Sequence, residues 1–555
     1  MSEHQPILIV GAGINGVAVA RDLLLNGLPV TLVEKNDVAY GASSRSSRLI
    51  HGGVRYLEYG EFRLVNESLS ERAHLINLAP QFVQPLNLFI PVRTRFGGLF
   101  FSVFRFLSAY RIPLMGRLAS KLSRHSERGV WLVRAGLTMY DWFARKSSTP
   151  KHRSVSLPSQ EAPQIDHQRY RWACQYMDAW IQYPERFIVA MLHDCQRLAA
   201  RNSVHFQLHV HSTASLAEGE ARVVNSDGDT VEVLQPSLVI NATGAWGDKT
   251  LSDLNVKSPR VFGGTKGSHL ISHKPELRAA IGDAGIYAEA EDGRLIFILP
   301  FNNSVMVGTT DVRFEKDPGD AIASEDEIEY LIEMVNRVLP AASLTRDDVA
   351  LHYSGVRPLP YKQRDSTAVI SRDHSIKEQT SFGRPVLTLV GGKLTTCRAF
   401  AQLVSDRVFA LRGVSREHST CTLPYAGAEG CATNSDDRIT AIAKLAEETG
   451  FSVEQVSSVW NLCGTMANEI LQAHGGNLKS LPGTAFPEVF VLWSIENEWA
   501  GSLEDLVERR LMLVFHPGLT LECLNVLASL IPNCADGEVD ALVIRLKSHY
   551  GLTIA

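Results

Sequence analysis

The run Ile7-Leu-Ile-Val10, followed at once by Gly11-Ala-Gly13-Ile-Asn-Gly16, decides the fold. Four consecutive apolar residues suit a buried strand of a parallel sheet. The small and apolar residues that follow, through Leu25, suit a helix, and Asn26-Gly27 supplies its stop signal. Val30-Thr-Leu-Val-Glu34 reads as a second strand ending in an acid. In such a β-α-β unit Gly11 permits the tight turn, Gly13 lets a pyrophosphate approach the backbone, and Gly16 allows close helix–strand packing. The helix N-terminus offers donors to an anion, and Glu34 is placed to accept hydrogen bonds from an adenosine ribose. The unit predicts a dinucleotide.

Working outward, Leu238-Val-Ile-Asn-Ala-Thr-Gly244 and Leu387-Thr-Leu-Val-Gly-Gly-Lys393 are two further apolar strands that end in small-residue turns. Three such turns fit a long cofactor gripped by a discontinuous domain, whereas a single NAD unit needs only the first. In flavoproteins of the two-dinucleotide fold an equivalent Ala-Thr-Gly turn comes near FAD, so FAD is the expected cofactor.

Composition sets the frame. A chain of 555 residues is expected to form two or three domains. With 45% hydrophobic and 21% charged residues it reads as soluble and globular. A net charge of −5 gives no whole-chain basic field of the kind that binds nucleic acid. The eight cysteines form no CxxC pair, so neither a zinc site nor a disulfide scaffold is expected, and no metal. The N-terminus lacks a basic signal region, and no long uncharged apolar run suggests a membrane span.

A set of motifs then carries a resemblance. Gly41-Ala-Ser-Ser-Arg-Ser-Ser-Arg48 runs into Leu49-Ile-His-Gly-Gly-Val-Arg-Tyr56. Lys266-Gly-Ser-His269, Gly308-Thr-Thr-Asp311, Tyr353-Ser-Gly-Val-Arg-Pro-Leu359, Ile370-Ser-Arg372 and Gly391-Gly-Lys-Leu-Thr-Thr396 follow in order. The set, spanning residues 7 to about 410, resembles the FAD-dependent, quinone-linked glycerol-3-phosphate dehydrogenases. Leu503-Glu-Asp-Leu-Val-Glu-Arg-Arg510 is similar to a helix of that family. The resemblance implies oxidation of sn-glycerol 3-phosphate to dihydroxyacetone phosphate, with hydride leaving C2 for FAD and electrons passing to a quinone. It places Gly11, Gly13, Gly16, Glu34, Ser43 and Ser44 at the cofactor. Ala242, Thr243, Gly244, Gly391, Gly392 and Lys393 join them from the later turns.

The residues supply reasons for that chemistry. A phosphomonoester needs cations with forked donors, which favours arginine; Arg55, Arg357 and Arg372 stand in the matched motifs. Lys393 is a further candidate for anionic oxygen on substrate or flavin, and Arg357 also for the alkoxide. Tyr56 reads equally as a packing aromatic or a substrate donor, and Thr309-Thr310 as strand-end capping or site residues. Alcohol oxidation needs a base for the hydroxyl proton. Of 18 histidines, His51 and His269 lie in the motifs. The resemblance implies His269 as base with His51 orienting substrate or flavin, and the reverse order stays open.

Between Glu71 and Glu127 no acidic residue occurs, and Arg93 to Arg124 interleaves arginines with Phe96, Phe100, Phe101, Phe104 and Phe106. Such a stretch suits a helix lying in a membrane surface, or else a buried segment with basic edges. After about residue 412 helix signals dominate: Ser435–Ile439, the capping box Ser452–Gln455, Ser502–Asp505 and the amphipathic Glu538–His549. Packing, homodimerisation and acceptor docking are all open for this region.

The expected architecture is α/β. A glutathione-reductase-like FAD domain is built from residues 1–90, 181–260 and 351–411. A β-rich substrate cap is built from 91–180 and 261–350, with the membrane-contact segment at 93–124, and a helical domain from 412–555. The expected location is cytoplasmic, peripherally attached to the cytoplasmic membrane. Two readings compete: a glycerophosphate oxidase passing electrons to O2, and a non-catalytic FAD-stabilised membrane-docking protein. The second has no need of the histidine and arginine set.

Overall fold

The structure is a computed structural model that describes residues 5–95, 129–146, 149–290, 294–362, 372–432, 434–473, 476–532 and 534–554. Strands Ile7–Val10 and Val30–Val33 are parallel, fully buried, and joined by the helix Ile14–Leu25. The helices Pro184–Asn202 and Cys397–Arg412 pack against Ile14–Leu25. A strand covered on both faces reads as a continuous apolar run; Ile7–Val10 does, and Val30–Val33 is interrupted by the buried Thr31.

The six-stranded sheet runs Ser375–Ser381, Arg384–Val390, Leu238–Asn241, Ile7–Val10, Val30–Val33, Phe206–His209. All neighbours are parallel except the first pair. Three adjacent strands therefore deliver their carboxyl ends to one edge. The turns at Gly11, Ala242 and Gly391 stand side by side there, although the chain visits them far apart. Ligands of open α/β sheets bind at that edge.

A ten-stranded sheet forms the second layer. It contains the expected hairpin, Leu295–Phe301 and Ser304–Gly308, paired in register from Phe301↔Ser304 to Phe297↔Gly308. Two domain boundaries shift. Val83–Val92 pairs antiparallel with Trp172–Ile181, and Val349–Arg357 with Thr265–Ser272. Both strands thus belong to the ten-stranded sheet and run across the divisions expected at 90/91 and 350/351. Composition changes little along these strands, and their allegiance is set by partners distant in sequence.

The C-terminal region is helical. Ser452 and Gln455 complete the capping box, and Glu538–Tyr550 is the last helix. Ser502 also opens with a capping box, made with Asp505. The chain then enters a single π turn, Leu506–Arg510, in which all five residues are buried. The basic-aromatic segment 93–124 lies outside the described residues from 96 onward, and Ile370-Ser371 also lies outside them.

Candidate active site

A cavity of about 340 Å³ opens at the carboxyl edge of the six-stranded sheet and takes wall residues from both large sheets. The three turns form one side. Gly11 has φ +107°, and a Cβ there would lie 2.7 Å from the Ala242 carbonyl oxygen, so only glycine fits. Gly13 starts the Ile14–Leu25 helix, and the Ile14 amide donates to Ser43 Oγ at 3.0 Å. The Glu34 carboxylate accepts from the Ala12 amide at 2.8 Å and the Asn36 amide at 3.0 Å. Burial raises the Glu34 pKa, while those two amides pull the other way. Asn15 Nδ2 reaches the Gly391 carbonyl, but its buried Oδ1 has no donor among the described residues.

This lining fits FAD. Glu34 suits the ribose, Gly11, Gly13 and the helix N-terminus suit the pyrophosphate, and the orphaned Asn15 oxygen awaits a donor. Lys393, in the third turn, has a buried Nζ without a hydrogen-bond partner among the described residues, 4.0 Å above the Tyr56 ring. A buried ammonium in that condition fits an anionic partner.

Beside it lies a cationic pocket. Arg357 ends the strand Val349–Arg357, opposite Thr265 of the neighbouring strand. Its guanidinium donates to Thr309 Oγ1 at 3.0 Å, the Thr310 carbonyl at 3.2 Å and Asp311 at 3.2 Å. Asp311 also pairs with Arg372, at 3.3 Å. Burial, and then Arg372, lower the Arg357 pKa to about 10 against the pull of Asp311. Burial works to raise the Tyr56 phenol, yet Lys393 and Arg372 hold it below its ordinary value. Arg357, Arg372, Lys393 and Tyr56 thus share one field, with Asp311 the carboxylate between the two arginines. Gly267 makes the room: a Cβ there would meet the Arg357 guanidinium at 2.2 Å.

Both motif histidines line the cavity. His269 Nε2 lies 2.8 Å from Ser47 Oγ, and its ring stacks on Tyr353 with centroids 4.8 Å apart. Gly308, paired across from it, leaves space for the ring, since a Cβ would lie 2.2 Å from His269 Cδ2. Burial, then Arg357 and Arg48, push His269 down to about 3. Burial likewise dominates at His51, with Lys393 and Arg72 assisting and Asp178 opposing, and brings it to about 4. Each ring is neutral near pH 7, the form able to take a proton. The loop after His51 is braced from behind: the Gly52 amide donates to Asp178, which also accepts from Tyr140 Oη at 2.6 Å and Arg72 at 2.7 Å.

Most expected site residues meet in this cavity: Gly11, Gly13, Glu34, Ser43, Ala242, Thr243, Gly244, Gly391, Gly392, Lys393, His51, Tyr56, His269, Arg357 and Arg372 all line it. Three do not. Gly16 is a packing residue, because its Cβ would meet the Gly11 carbonyl oxygen at 1.9 Å. The Ser44 hydroxyl turns inward to the Tyr40 and Gly41 carbonyls. Arg55 sits in the 3-10 turn Val54–Tyr59, where successive side chains diverge by about 120°, and Tyr56 rather than Arg55 reaches the cavity wall. The sequence reading passed over Ser47 and left Asp311 without a role. Both stood inside quoted motifs, and only strand register reveals their partners.

The sequence pattern of the family described as FAD dependent oxidoreductase matches residues 6–407. The chain belongs to that family. This oxidoreductase is similar to glycerol-3-phosphate dehydrogenase of Synechocystis sp., 34% identical over 91% of this chain and 88% of the relative. It is similar to D-erythritol 1-phosphate dehydrogenase of Brucella abortus, 30% identical over 93% and 95%. Its fold matches that of glycerol-3-phosphate dehydrogenase from Bacillus halodurans complexed with FAD, with TM-score 0.70 and 19% identity over 99% of this chain and 95% of that one. The resemblance read from the motifs, the α/β flavoprotein fold and FAD as cofactor are borne out.

Proposed function

We propose that this oxidoreductase oxidises sn-glycerol 3-phosphate at C2 to dihydroxyacetone phosphate. The observation that carries the reading is the pair Arg357 and Arg372, which are both bound to Asp311 and line the cavity together with Lys393 beside the cofactor turns. Two guanidinium groups sharing one carboxylate suit a phosphate dianion, and they offer forked donors to its oxygens.

FAD, when bound, supplies the two-electron acceptor. The chain supplies the rest. Arg357 and Arg372 hold the phosphate, with Tyr56 donating beside them. The C2 hydroxyl proton goes to a neutral histidine. At His269 the receiving atom is Nε2, directly or through the Ser47 hydroxyl 2.8 Å away, because Nδ1 is sealed in the protein. Burial is the main reason His269 is weakly basic, and phosphate charge on Arg357 offsets the smaller share that Arg357 adds. His51, on its braced loop, orients substrate, and Lys393 balances negative charge that develops near the cofactor.

Electrons then pass to a quinone at a membrane surface. Trp131 and Trp142 are 50% and 57% exposed on the helix Val130–Phe143, which follows the basic-aromatic segment. Arg134 and Arg145 lie over their rings, giving an aromatic and cationic stripe suited to an anionic interface. Among the described residues no helix is long and apolar enough to cross a membrane. Peripheral attachment to the cytoplasmic membrane follows from this reading.

The test is anaerobic. Glycerol 3-phosphate is expected to bleach the visible flavin band of the purified protein, and D-erythritol 1-phosphate, added separately, to bleach it far more slowly. Flavin indifferent to glycerol 3-phosphate, or faster with the longer polyol, overturns the substrate assignment. Peroxide formed in air at the rate of substrate oxidation overturns the quinone acceptor in favour of O2.

A further inference from the structure

Between strands Val30–Val33 and Leu49–Ile50 the chain has no helix or strand, yet from Tyr40 to Leu49 every residue but Ser44 lines the cofactor cavity. A loop without its own backbone ladder takes its shape from side-chain ties. Two of its ties lead to the far end of the sequence. Asp37, fully buried, accepts from Arg509 Nε at 2.5 Å and from Arg510 at 2.7 and 2.8 Å. Arg45, itself a cavity-wall residue, donates to Glu508 at 3.1 Å. Glu508 also accepts from Arg545 at 2.9 Å and from Tyr550 Oη at 2.6 Å, while Arg45 lies over the Tyr550 ring at 4.7 Å. In the π turn Leu506–Arg510 three consecutive charged residues are buried at once. Such turns recur at functional sites.

We propose that the carboxy-terminal domain sets how firmly FAD is retained, acting through the buried pairs Asp37–Arg510 and Arg45–Glu508 on the cavity-wall loop. Arg510, Glu508 and Tyr550 are positioning residues: none lines the cavity, and each acts through Asp37 or Arg45. Breaking a buried pair leaves a charge without its partner, and here the strain falls on the loop that wraps the cofactor. The proposal rests on the cavity being the FAD site and needs no particular substrate.

Arg186 supplies the control. It pairs with Glu498 at 2.6 Å, both side chains buried, and also joins the cofactor-binding half to the C-terminal domain, but neither residue lines the cavity. FAD-loaded wild type, Arg510→Lys, Tyr550→Phe and Arg186→Lys are diluted, and flavin passing a size filter is followed by its fluorescence, with unfolding temperatures measured in parallel. Arg510→Lys and Tyr550→Phe are expected to release flavin about tenfold faster than wild type, a change of about 1.4 kcal/mol. Arg186→Lys is expected to lose thermal stability and keep the wild-type release rate. Unchanged release in Tyr550→Phe, or release that simply tracks unfolding temperature across all three variants, overturns the proposal. Tyr550→Phe decides alone should Arg510→Lys fail to accumulate. The readout contains no substrate, so its failure and that of the reaction assignment are separable.

Discussion

Asp311 Oδ1 lies 3.2 Å from Arg357 Nη1, while its second oxygen lies 3.3 Å from Arg372. One carboxylate thus holds two guanidinium groups and pre-orders them before any ligand arrives. Arg357→Lys keeps the charge and loses the fork. Its kcat/KM for glycerol 3-phosphate is expected to fall about 100-fold or more, a loss of about 2.7 kcal/mol. The visible flavin absorbance per protein is expected to stay at the wild-type value, and steady-state assays with a dye acceptor check both.

Gly267 gives a subtler probe of the same group. Gly267→Ala places a Cβ 2.2 Å from the Arg357 guanidinium and 2.5 Å from Thr309 Oγ1, so the guanidinium must move. KM is expected to rise about tenfold with a smaller loss in unfolding temperature, since the clashes fall on side-chain ends, Arg357 and the Thr309 hydroxyl, and on no backbone atom nearer than these. Substrate titration and thermal melting on one preparation separate the two effects.

Ser47→Ala removes the 2.8 Å contact at His269 Nε2, the one hydrogen bond of that ring among the described residues. The hydroxyl anchors the ring and offers a proton path. The anaerobic rate of flavin bleaching is expected to drop about tenfold to 100-fold, with KM nearly constant and the pH dependence of the rate altered. A Ser47→Ala rate equal to wild type at every pH removes Ser47 from the proton path.

Acid stability carries a signature of the buried histidines. His269 stands at about 3 and His51 at about 4 in the folded protein, against about 6.5 in an unfolded chain. Between those values the unfolded state binds more protons, so stability is full above pH 6.5 and falls as pH drops toward 4. Each fully withheld proton contributes a slope of at most about 1.4 kcal/mol per pH unit. Urea unfolding from pH 7.5 to 5 is expected to show His269→Asn losing less stability over that range than wild type.

What the sequence made legible is local. The glycine turn after Val10, the hairpin through Asn302-Asn303 and the Ser452 capping box all rest on residues within a few positions of each other, and the structure builds each of them. What it concealed is set by register or by distant burial. Ser47 meets His269 across 222 residues, and Asp311 meets Arg357 only because Thr265–Ser272 is flanked by two antiparallel strands. Glu508, Arg509 and Arg510 follow the helix signal at Ser502–Asp505, and nothing in the local sequence marks three charged residues as buried. They are buried because their partners, Asp37 and Arg45, come from the other end of the chain. Arg55 and Tyr56 are neighbours in a motif, and a tight turn sends only one of them to the cavity.

The sheet order also governs when the protein can acquire its cofactor. The strand ending at Val390 must lie beside Leu238–Asn241, which in turn flanks Ile7–Val10. A ribosome emitting the chain from its amino end exposes the first glycine turn early, but the pocket stays open-walled until the third has left the exit tunnel. Loading is therefore a late event in biosynthesis, and a truncated translation product ending before residue 384 is born without a place to keep the flavin.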